Sequence, residues 1–257
     1  GGYDVFMARK QPIGWSKPVN LGYPLNTHRD EMDFFVNARG DKGYINADRL
    51  GGSGKQDLYV FNLDERLRPR PTFVLNGRIT DCADQAPLSA RLHLIELATG
   101  DTVLSVASDS RTGRYTTAAP ASKRYLAHIE AEGYAFVSLA FPLQDKVTAQ
   151  FARHCLQRLA PGITFALNYV FFDVDNAVLK PESWIELNKL AALMQRYPEM
   201  EVMIEASAVA APEVALSQVE AVCNYLVAQG VARQRLRAPS QPPGVLKQGI
   251  TVRILRL

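Results

Sequence analysis

Asp173 and Asp175 are the residues of this chain whose type and spacing come closest to paired carboxylates for acid–base catalysis. They stand only two positions apart, and no nucleophile, base or metal constellation accompanies them in the sequence. The G-x-S-x-G, Walker and G-x-G-x-x-G patterns of hydrolases and nucleotide-binding proteins are also missing from it. The sequence therefore predicts a protein that is not an enzyme.

The histidines and cysteines lack the spacing of a metal site, so we expect no metal and no cofactor. No two of the cysteines form a C-x-x-C pair, and the pattern predicts neither a zinc site nor a disulfide framework. One disulfide remains possible, with its members open. Cys223 falls on the apolar stripe of a predicted helix, where a thiol behaves as a small hydrophobe. The residues concerned are His28, His93, His128, His154, Cys82, Cys155 and Cys223.

Composition limits the partners. The chain has 257 residues, 47% of them apolar, and a formal net charge of +3 from 29 basic and 26 acidic residues spread along its length. This balance gives no basic stripe for a phosphate backbone, so nucleic acid is not an expected partner. No apolar run approaches the ~18 residues of a transmembrane helix, and no signal peptide opens the sequence. The chain is then either cytoplasmic or lacks its natural beginning.

Residues 1–63 contain an internal sequence repeat. Gly1–Phe6 is repeated as Gly51–Phe61, with the two aspartates 53 residues apart. Two β-type runs, 33–37 and 42–46, flank a turn between the copies, as in a four-stranded propeller blade. This part of the sequence resembles the WD40-like repeats of Bacteroidota envelope proteins. The resemblance is carried by Trp15–Gly22, Pro24–Thr27, Asp30-Glu31 and Gly51-Gly52 before Asp57-Leu58-Tyr59. We therefore expect a partial β-propeller whose residue 1 is not a natural terminus.

Residues 64–71 read as a polar linker with two prolines. Residues 72–143 then carry six short strand-like runs with turn signals every ~8–12 residues, which predicts an all-β sandwich. The phrases Gly77–Asp81, Pro87–Leu92, Thr112–Tyr115 and Glu132–Tyr134 resemble the carboxypeptidase-regulatory-like module, which is transthyretin-like and non-catalytic. Residues 144–161 are interpreted as a connector.

Residues 162–257 alternate strand and helix patterns, which predicts an α/β two-layer sandwich. A strand is expected over Phe165–Phe172. A first helix follows Pro181 with Trp184, Leu187, Leu190, Ala191 and Met194 on its buried face, and a second follows Pro212 with Leu216, Val219, Cys223 and Leu226. This region resembles the OmpA-like C-terminal domain. The resemblance is carried by Val170–Ser183 and, in the second predicted helix, by Leu216-Ser217 and Tyr225–Val231. That resemblance assigns Asp173 and Asp175 to a structural turn.

The OmpA-like resemblance implies a pocket for a peptidoglycan stem carboxylate, built from the aspartate of a Gly-His-Thr-Asp motif and the arginine of a Leu-Ser-x-x-Arg-Ala motif. Here the aspartate has become Val209 and the arginine Glu220, which reverses the charge that faces an anionic ligand. Lys247-Gln248-Gly249 replaces the basic run that precedes the last strand. The residues now at the pocket positions are Ser207, Val209, Glu220 and Lys247. These departures predict a degenerate pocket.

Propeller, regulatory-like sandwich and OmpA-like domain in this order resemble PorE-type proteins associated with the type IX secretion system. The resemblance implies a non-catalytic scaffold in the periplasm, associated with the outer membrane or cell wall, with envelope or secretion-system proteins as partners. The alternative is a peptidoglycan-binding anchor that uses non-standard contacts. The two differ in whether muropeptides bind saturably.

Overall fold

A computed structural model describes residues 2–11, 13–69, 71–121, 123–141, 150–173, 176–206, 212–239 and 249–257. The chain is mostly β, with several sheets. It divides into two compact units, one made mainly of residues 1–74 and the other mainly of residues 75–257. Within the described ranges, no helix combines the length and the apolar character needed to cross a bilayer.

The first unit contains two small antiparallel sheets. β1 (Phe6–Met7) pairs with β2 (Val19–Asn20), and β3 (Glu31–Val36), β4 (Lys42–Ala47) and β5 (Asp57–Asn62) form a meander. The two runs predicted around the turn at 38–41 are confirmed as β3 and β4. The larger sheet has three strands in the described part of the chain, so the four-stranded blade stays a prediction.

The second unit opens with a region of two sheets, which we call the sandwich region (residues 75–156). One sheet has the order β11-β10-β7-β8 and the other β12-β6-β9. Burial alternates along β6 and β9, so each strand turns one side towards the core. Each of the six runs predicted here forms a strand, and a seventh strand follows them. The strands are β6 (Thr72–Asp81), β7 (Arg91–Glu96), β8 (Thr102–Ala107), β9 (Arg114–Pro120), β10 (Tyr125–Glu130), β11 (Val137–Phe141) and β12 (Gln150–Leu156).

β12 lies within residues 144–161, which the sequence pattern predicts to be a connector. It pairs in parallel with β6, and Cys155 stands opposite Thr80. A disulfide joins Cys155 to Cys82 with the Cα atoms 4.8 Å apart. The Cys82 amide also donates to the Leu156 carbonyl at 3.0 Å. This is the single disulfide that the sequence leaves possible, and the structure identifies its members. The bridge fastens the last strand of the sandwich region to the end of β6. Cys223 is free and buried, as its helical stripe predicts.

The C-terminal region (residues 162–257) is a four-stranded sheet with two helices. The sheet order is β13-β16-β14-β15, and β14 and β15 are its one parallel pair among the described strands. The helices and the sheet share one apolar core, to which Leu187, Val219 and Val252 belong. This is the two-layer α/β arrangement that the order of elements predicts. The elements are β13 (Thr164–Leu167), α1 (Trp184–Arg196), β14 (Glu201–Ala206), α2 (Pro212–Ala228), β15 (Leu236–Arg237) and β16 (Ile250–Arg256).

Two details of the C-terminal region differ from the sequence expectation. The strand predicted over Phe165–Phe172 ends at Leu167, because the amides of Tyr169 and Phe171 donate to side chains of Glu186 and Ser183 instead of to a neighbouring strand. Trp184, predicted on the buried face of α1, is 47% exposed and stacks on Tyr225 of α2 with ring centroids 6.3 Å apart. The buried residue near the start of α1 is instead Glu186.

Arg235 closes the carboxyl end of α1. Its guanidinium donates to the carbonyls of Met194 at 2.6 Å, Tyr197 at 2.7 Å and Met200 at 2.9 Å. The last carbonyls of a helix have no partner within the helix, and a cation also suits the negative end of the helix dipole. One side chain therefore joins α1, the turn after it and the segment that enters β15.

Arg235→Met is expected to lower the free energy of unfolding by about 2–3 kcal/mol, because carbonyl partners of a charged donor are left unpaired. Urea denaturation measures this change. Arg233→Met is the matched control: Arg233 is an exposed ion-pair residue two positions earlier, and its loss should cost less than about 1 kcal/mol. Equal losses for the two variants would contradict the assigned role of Arg235.

Replacement of both Cys82 and Cys155 by Ala is expected to lower the free energy of unfolding by about 2–4 kcal/mol, because the bridge spans 73 residues of chain. Denaturation in urea tests the magnitude. Thiol labelling of the unfolded, unreduced chain tests the pairing itself, with one reactive cysteine expected, Cys223. Labelling of all three cysteines without reductant would refute the bridge.

Candidate functional site

β10 is buried on both faces. Each residue from Tyr125 to Ile129 is at most 1% exposed. Leu126 on one face forms a cluster with Ile95 of β7 and with Tyr169 of the C-terminal region. His128, on the same face as Leu126, lies 4.9 Å from the Phe136 ring, which in turn contacts Phe165 edge-on at 5.6 Å. The outer face of this sheet is therefore covered by the C-terminal region, and we call the contact the β10 interface.

Glu186 brings an ionisable group into the β10 interface. The residue is fully buried, and one carboxylate oxygen accepts the amide hydrogen of Tyr169. The other oxygen has no hydrogen-bond partner in the part of the chain that the structure describes. Burial raises the pKa of Glu186 to about 7, with smaller opposing effects from the Tyr169 amide and the nearby Ser138 hydroxyl. The group can thus hold or release a proton near neutral pH.

Ser138, His128 and Glu130 stand in the order of a hydrolytic triad. His128 Nδ1 lies 3.2 Å from the Ser138 hydroxyl, and its Nε2 lies 3.9 Å from the Glu130 carboxylate. Burial lowers the pKa of His128, so the ring is neutral near pH 7. The Ser138 hydroxyl is fully buried, which leaves it out of reach of a substrate. In this position Ser138 and His128 satisfy each other's hydrogen-bonding groups inside the β10 interface.

Glu130 links the sandwich region to α1. His93 Nε2 lies 3.2 Å from one carboxylate oxygen, and Arg196, the last residue of α1, lies 3.8 Å from the other. The pKa of Glu130 falls to about 2, chiefly through the neighbouring His128 ring and then through His93 and Arg196. The histidines are scattered along the sequence, but strand pairing places His93 directly opposite His128. Sequence alone does not show which strands pair, so this cluster had no detectable signal.

Of the residues predicted at the pocket, Ser207, Val209 and Lys247 lie outside the described residues. Glu220 lies exposed on α2, and its two carboxylate oxygens accept hydrogen bonds from Arg233 at 2.9 and 3.2 Å. A positive charge therefore balances the acid that replaces the expected arginine. Asp173 closes a turn by donating its amide hydrogen to the Val178 carbonyl at 3.0 Å, whereas Asp175 is outside the described ranges.

Glu186→Gln tests the buried carboxyl. A folded-state pKa above the unfolded value means that the folded protein binds the proton more tightly. The contribution of Glu186 is then fully present below about pH 4.5 and is lost as pH rises through about 7. Glutamine resembles the neutral acid and does not titrate. The stability of Glu186→Gln relative to wild type should therefore rise by about 3 kcal/mol between pH 4 and pH 8.

Urea denaturation of wild type and variant at both pH values measures this difference. The comparison cancels the opposing titrations of His128 and Glu130, whose lowered pKa values favour the folded state at higher pH. A difference between the two proteins that does not change with pH would contradict a raised pKa at Glu186.

Comparison with known proteins gives no family assignment. No family model and no curated protein match the chain. It is 16% identical to 3-chlorocatechol 1,2-dioxygenase from Rhodococcus opacus, over 34% of this chain and 60% of that one, with a TM-score of 0.26. It is 14% identical to a C-terminal fragment of the pilus adhesin SpaC from Lactobacillus rhamnosus GG, over 57% and 63%, with a TM-score of 0.27.

The full-length major pilin RrgB from Streptococcus pneumoniae is 14% identical, over 100% of this chain and 52% of that one, with a TM-score of 0.24. The chain spans less than two thirds of the length of each of these proteins. Identities and TM-scores this low support no argument about function.

Proposed function

We propose that the chain is a non-catalytic scaffold of a bacterial cell envelope, positioned at the periplasmic face of the outer membrane or at the cell wall. In this proposal it carries a partial propeller, a regulatory-like sandwich and an OmpA-like domain, and it serves in a type IX secretion assembly of the PorE type. The β10 interface is the observation that supports a scaffold most directly. A buried interface holds two regions at a fixed spacing, which is what a structural support requires.

The Cys82–Cys155 disulfide supports the proposed location. Disulfides persist in oxidising compartments such as the bacterial periplasm and are rare in a reducing cytosol. The bridge therefore favours an oxidising compartment over a cytoplasmic one. Partner proteins in this proposal are other envelope or secretion-system components.

The three-stranded sheet of the first unit offers a surface for such partners. Phe35, Leu58 and Val60 are 51%, 66% and 58% exposed, and Phe35 stacks on Tyr44 with ring centroids 4.9 Å apart. Tyr44 stands opposite Val60, so the four side chains form one continuous apolar face. Apolar side chains gathered on one face are typical of a surface that another protein or blade covers.

A photo-crosslinking amino acid at Val60 tests the scaffold in cells. The proposal predicts defined crosslinks from this face to envelope proteins, because the exposed apolar side chains would lie against a partner. The matched control is the same amino acid at Glu199, which lies in the exposed turn after α1. Crosslinks of equal yield and identity from both positions would count against a docking face. Crosslinks to cytosolic proteins alone would refute the proposed location.

Peptidoglycan anchoring by non-standard contacts is the second candidate. Arg233 favours it, because its guanidinium lies next to Glu220 at the position where the OmpA-like pattern has an arginine. A guanidinium can form two hydrogen bonds with a stem-peptide carboxylate. In the proposed scaffold, however, the Arg233 guanidinium already donates its hydrogen bonds to Glu220.

Calorimetric titration of the whole chain with a stem peptide that contains diaminopimelate separates the two candidates. The scaffold predicts no saturable binding. The anchor predicts saturable binding that Arg233→Ala abolishes, while Arg237→Ala, which removes a comparable ion-paired arginine nearby, leaves it intact. Restoration of binding only in a Val209→Asp, Glu220→Arg double variant would indicate that the ancestral pocket has been lost.

A further inference from the structure

Four arginines gather on one side of the sandwich region. Arg153 of β12 stands directly opposite Arg78 of β6, and both side chains are exposed. Arg114 begins β9, and Arg111 lies in the turn that precedes it. All four line a cavity of about 560 Å³, which we call the arginine groove.

The backbone brings β9 close to Arg78. The Ile79 amide donates to the Gly113 carbonyl at 2.8 Å, which places Arg114 beside Arg78 across the strands. Gly113 has φ +69°, and a Cβ at this position would lie 3.4 Å from Cγ of Arg78 and 2.3 Å from the Ile79 carbonyl oxygen. Glycine therefore permits the close approach of the two strands under the Arg78 side chain.

The turn that carries Arg111 is held in place before any ligand arrives. The Asp109 carboxylate accepts hydrogen bonds from the Thr112 amide and hydroxyl, both at 2.8 Å, and from the Arg111 amide at 3.2 Å. Asp109 is thus engaged with the backbone of its own turn. A preformed turn lowers the entropy lost when a ligand is bound.

Three of the four arginines of the groove are not neutralised by residues that the structure describes. Like charges directly opposite each other on neighbouring strands destabilise a sheet, which applies to Arg153 and Arg78. Arg78, Arg111 and Arg114 form no ion pair with the described residues. Arg158, in contrast, lies just beyond the same sheet and is ion-paired with Asp81 and with Asp84 at 3.5 Å. No carboxylate stands among the described residues that line the groove.

The remaining lining residues add neutral hydrogen-bonding groups. They include the hydroxyls of Thr80 and Thr112 and the amide of Gln85. Guanidinium groups form paired hydrogen bonds with phosphate and carboxylate oxygens. The cavity lies in the usual size range of small-molecule sites. A phosphate monoester carries about −1.5 to −2 charges near pH 7 and a carboxylate only one. Phosphates therefore balance the charges of Arg78, Arg111 and Arg114 in less space than carboxylates do.

We propose that the arginine groove binds a compact ligand with two or more phosphate groups, such as a phosphorylated saccharide. The inference goes beyond the proposed scaffold function and does not depend on it. The phosphates could belong to a free small molecule or to the end of an envelope glycan. Two probes distinguish these sources: inositol hexakisphosphate and a bisphosphorylated glucosamine disaccharide.

Calorimetric titration of the full chain with each probe tests the proposal. We expect saturable binding of at least one probe, weakened at least tenfold by Arg78→Gln and by Arg114→Gln, since each removes a charge-assisted contact. Arg91→Gln is the matched control, because Arg91 is an exposed strand arginine of the other sheet that does not line the groove. Its effect should stay below twofold. The more tightly bound probe identifies the source of the phosphates.

Failure of both probes to bind would overturn the proposal, as would equal weakening by Arg91→Gln. Citrate that binds as tightly as the phosphates would overturn the phosphate assignment. The melting temperature of unliganded Arg78→Gln gives an independent check. Relief of repulsion predicts a value at or above that of wild type, whereas a clear decrease would assign Arg78 a structural role.

Discussion

The central constraint on the second unit is that β10 has no solvent-facing side. A strand in an antiparallel sheet commonly keeps one face in water, and its sequence then alternates. Here Leu126 and His128 would occupy that face. Leu126 lies against Tyr169 of the C-terminal region, and His128 lies against Phe136, which contacts Phe165. Separation of the two regions would expose apolar side chains to water. It would also expose His128, which contacts Ser138, and would remove the Ser138 hydroxyl from Glu186. The two regions therefore behave as one body, consistent with their single compact unit.

Polar contacts at both ends of α1 fix its position in that body. Glu186 near the beginning of the helix binds the chain that follows β13, and Arg196 at the end approaches Glu130 of β10. Arg235 then holds the carbonyls beyond the last turn. Apolar packing alone tolerates small shifts of a helix along its axis, whereas hydrogen bonds require particular positions. Polar residues at the two ends thus give precision to a contact whose area is largely apolar.

Residue patterns in the sequence located most of the helices and strands of this chain, but they did not show which residues surround each of them. Strands with regular alternation and helices with an apolar stripe were located, as with Leu187 and Val219, because periodicity reflects burial on one face. β12 was missed because its inward-facing residues include His154 instead of a regular apolar series. The buried state of Glu186 could not be read from its type, since it depends on a region distant in sequence. The propeller and the pocket remain predictions, the latter because most of its residues lie outside the described ranges.

The parallel pairing of β12 with β6 has a consequence for biogenesis. Because Cys155 follows Cys82 by 73 residues, the sheet that contains β6 keeps an open edge until the chain beyond β12 has been delivered. A chain synthesised from its amino end therefore completes this sheet late, after the hairpins of the other sheet can already form from local contacts. During that interval the exposed edge and the unpaired Cys82 are vulnerable to incorrect partners. Correct pairing of Cys82 thus depends on how soon β12 becomes available after β6 has been made.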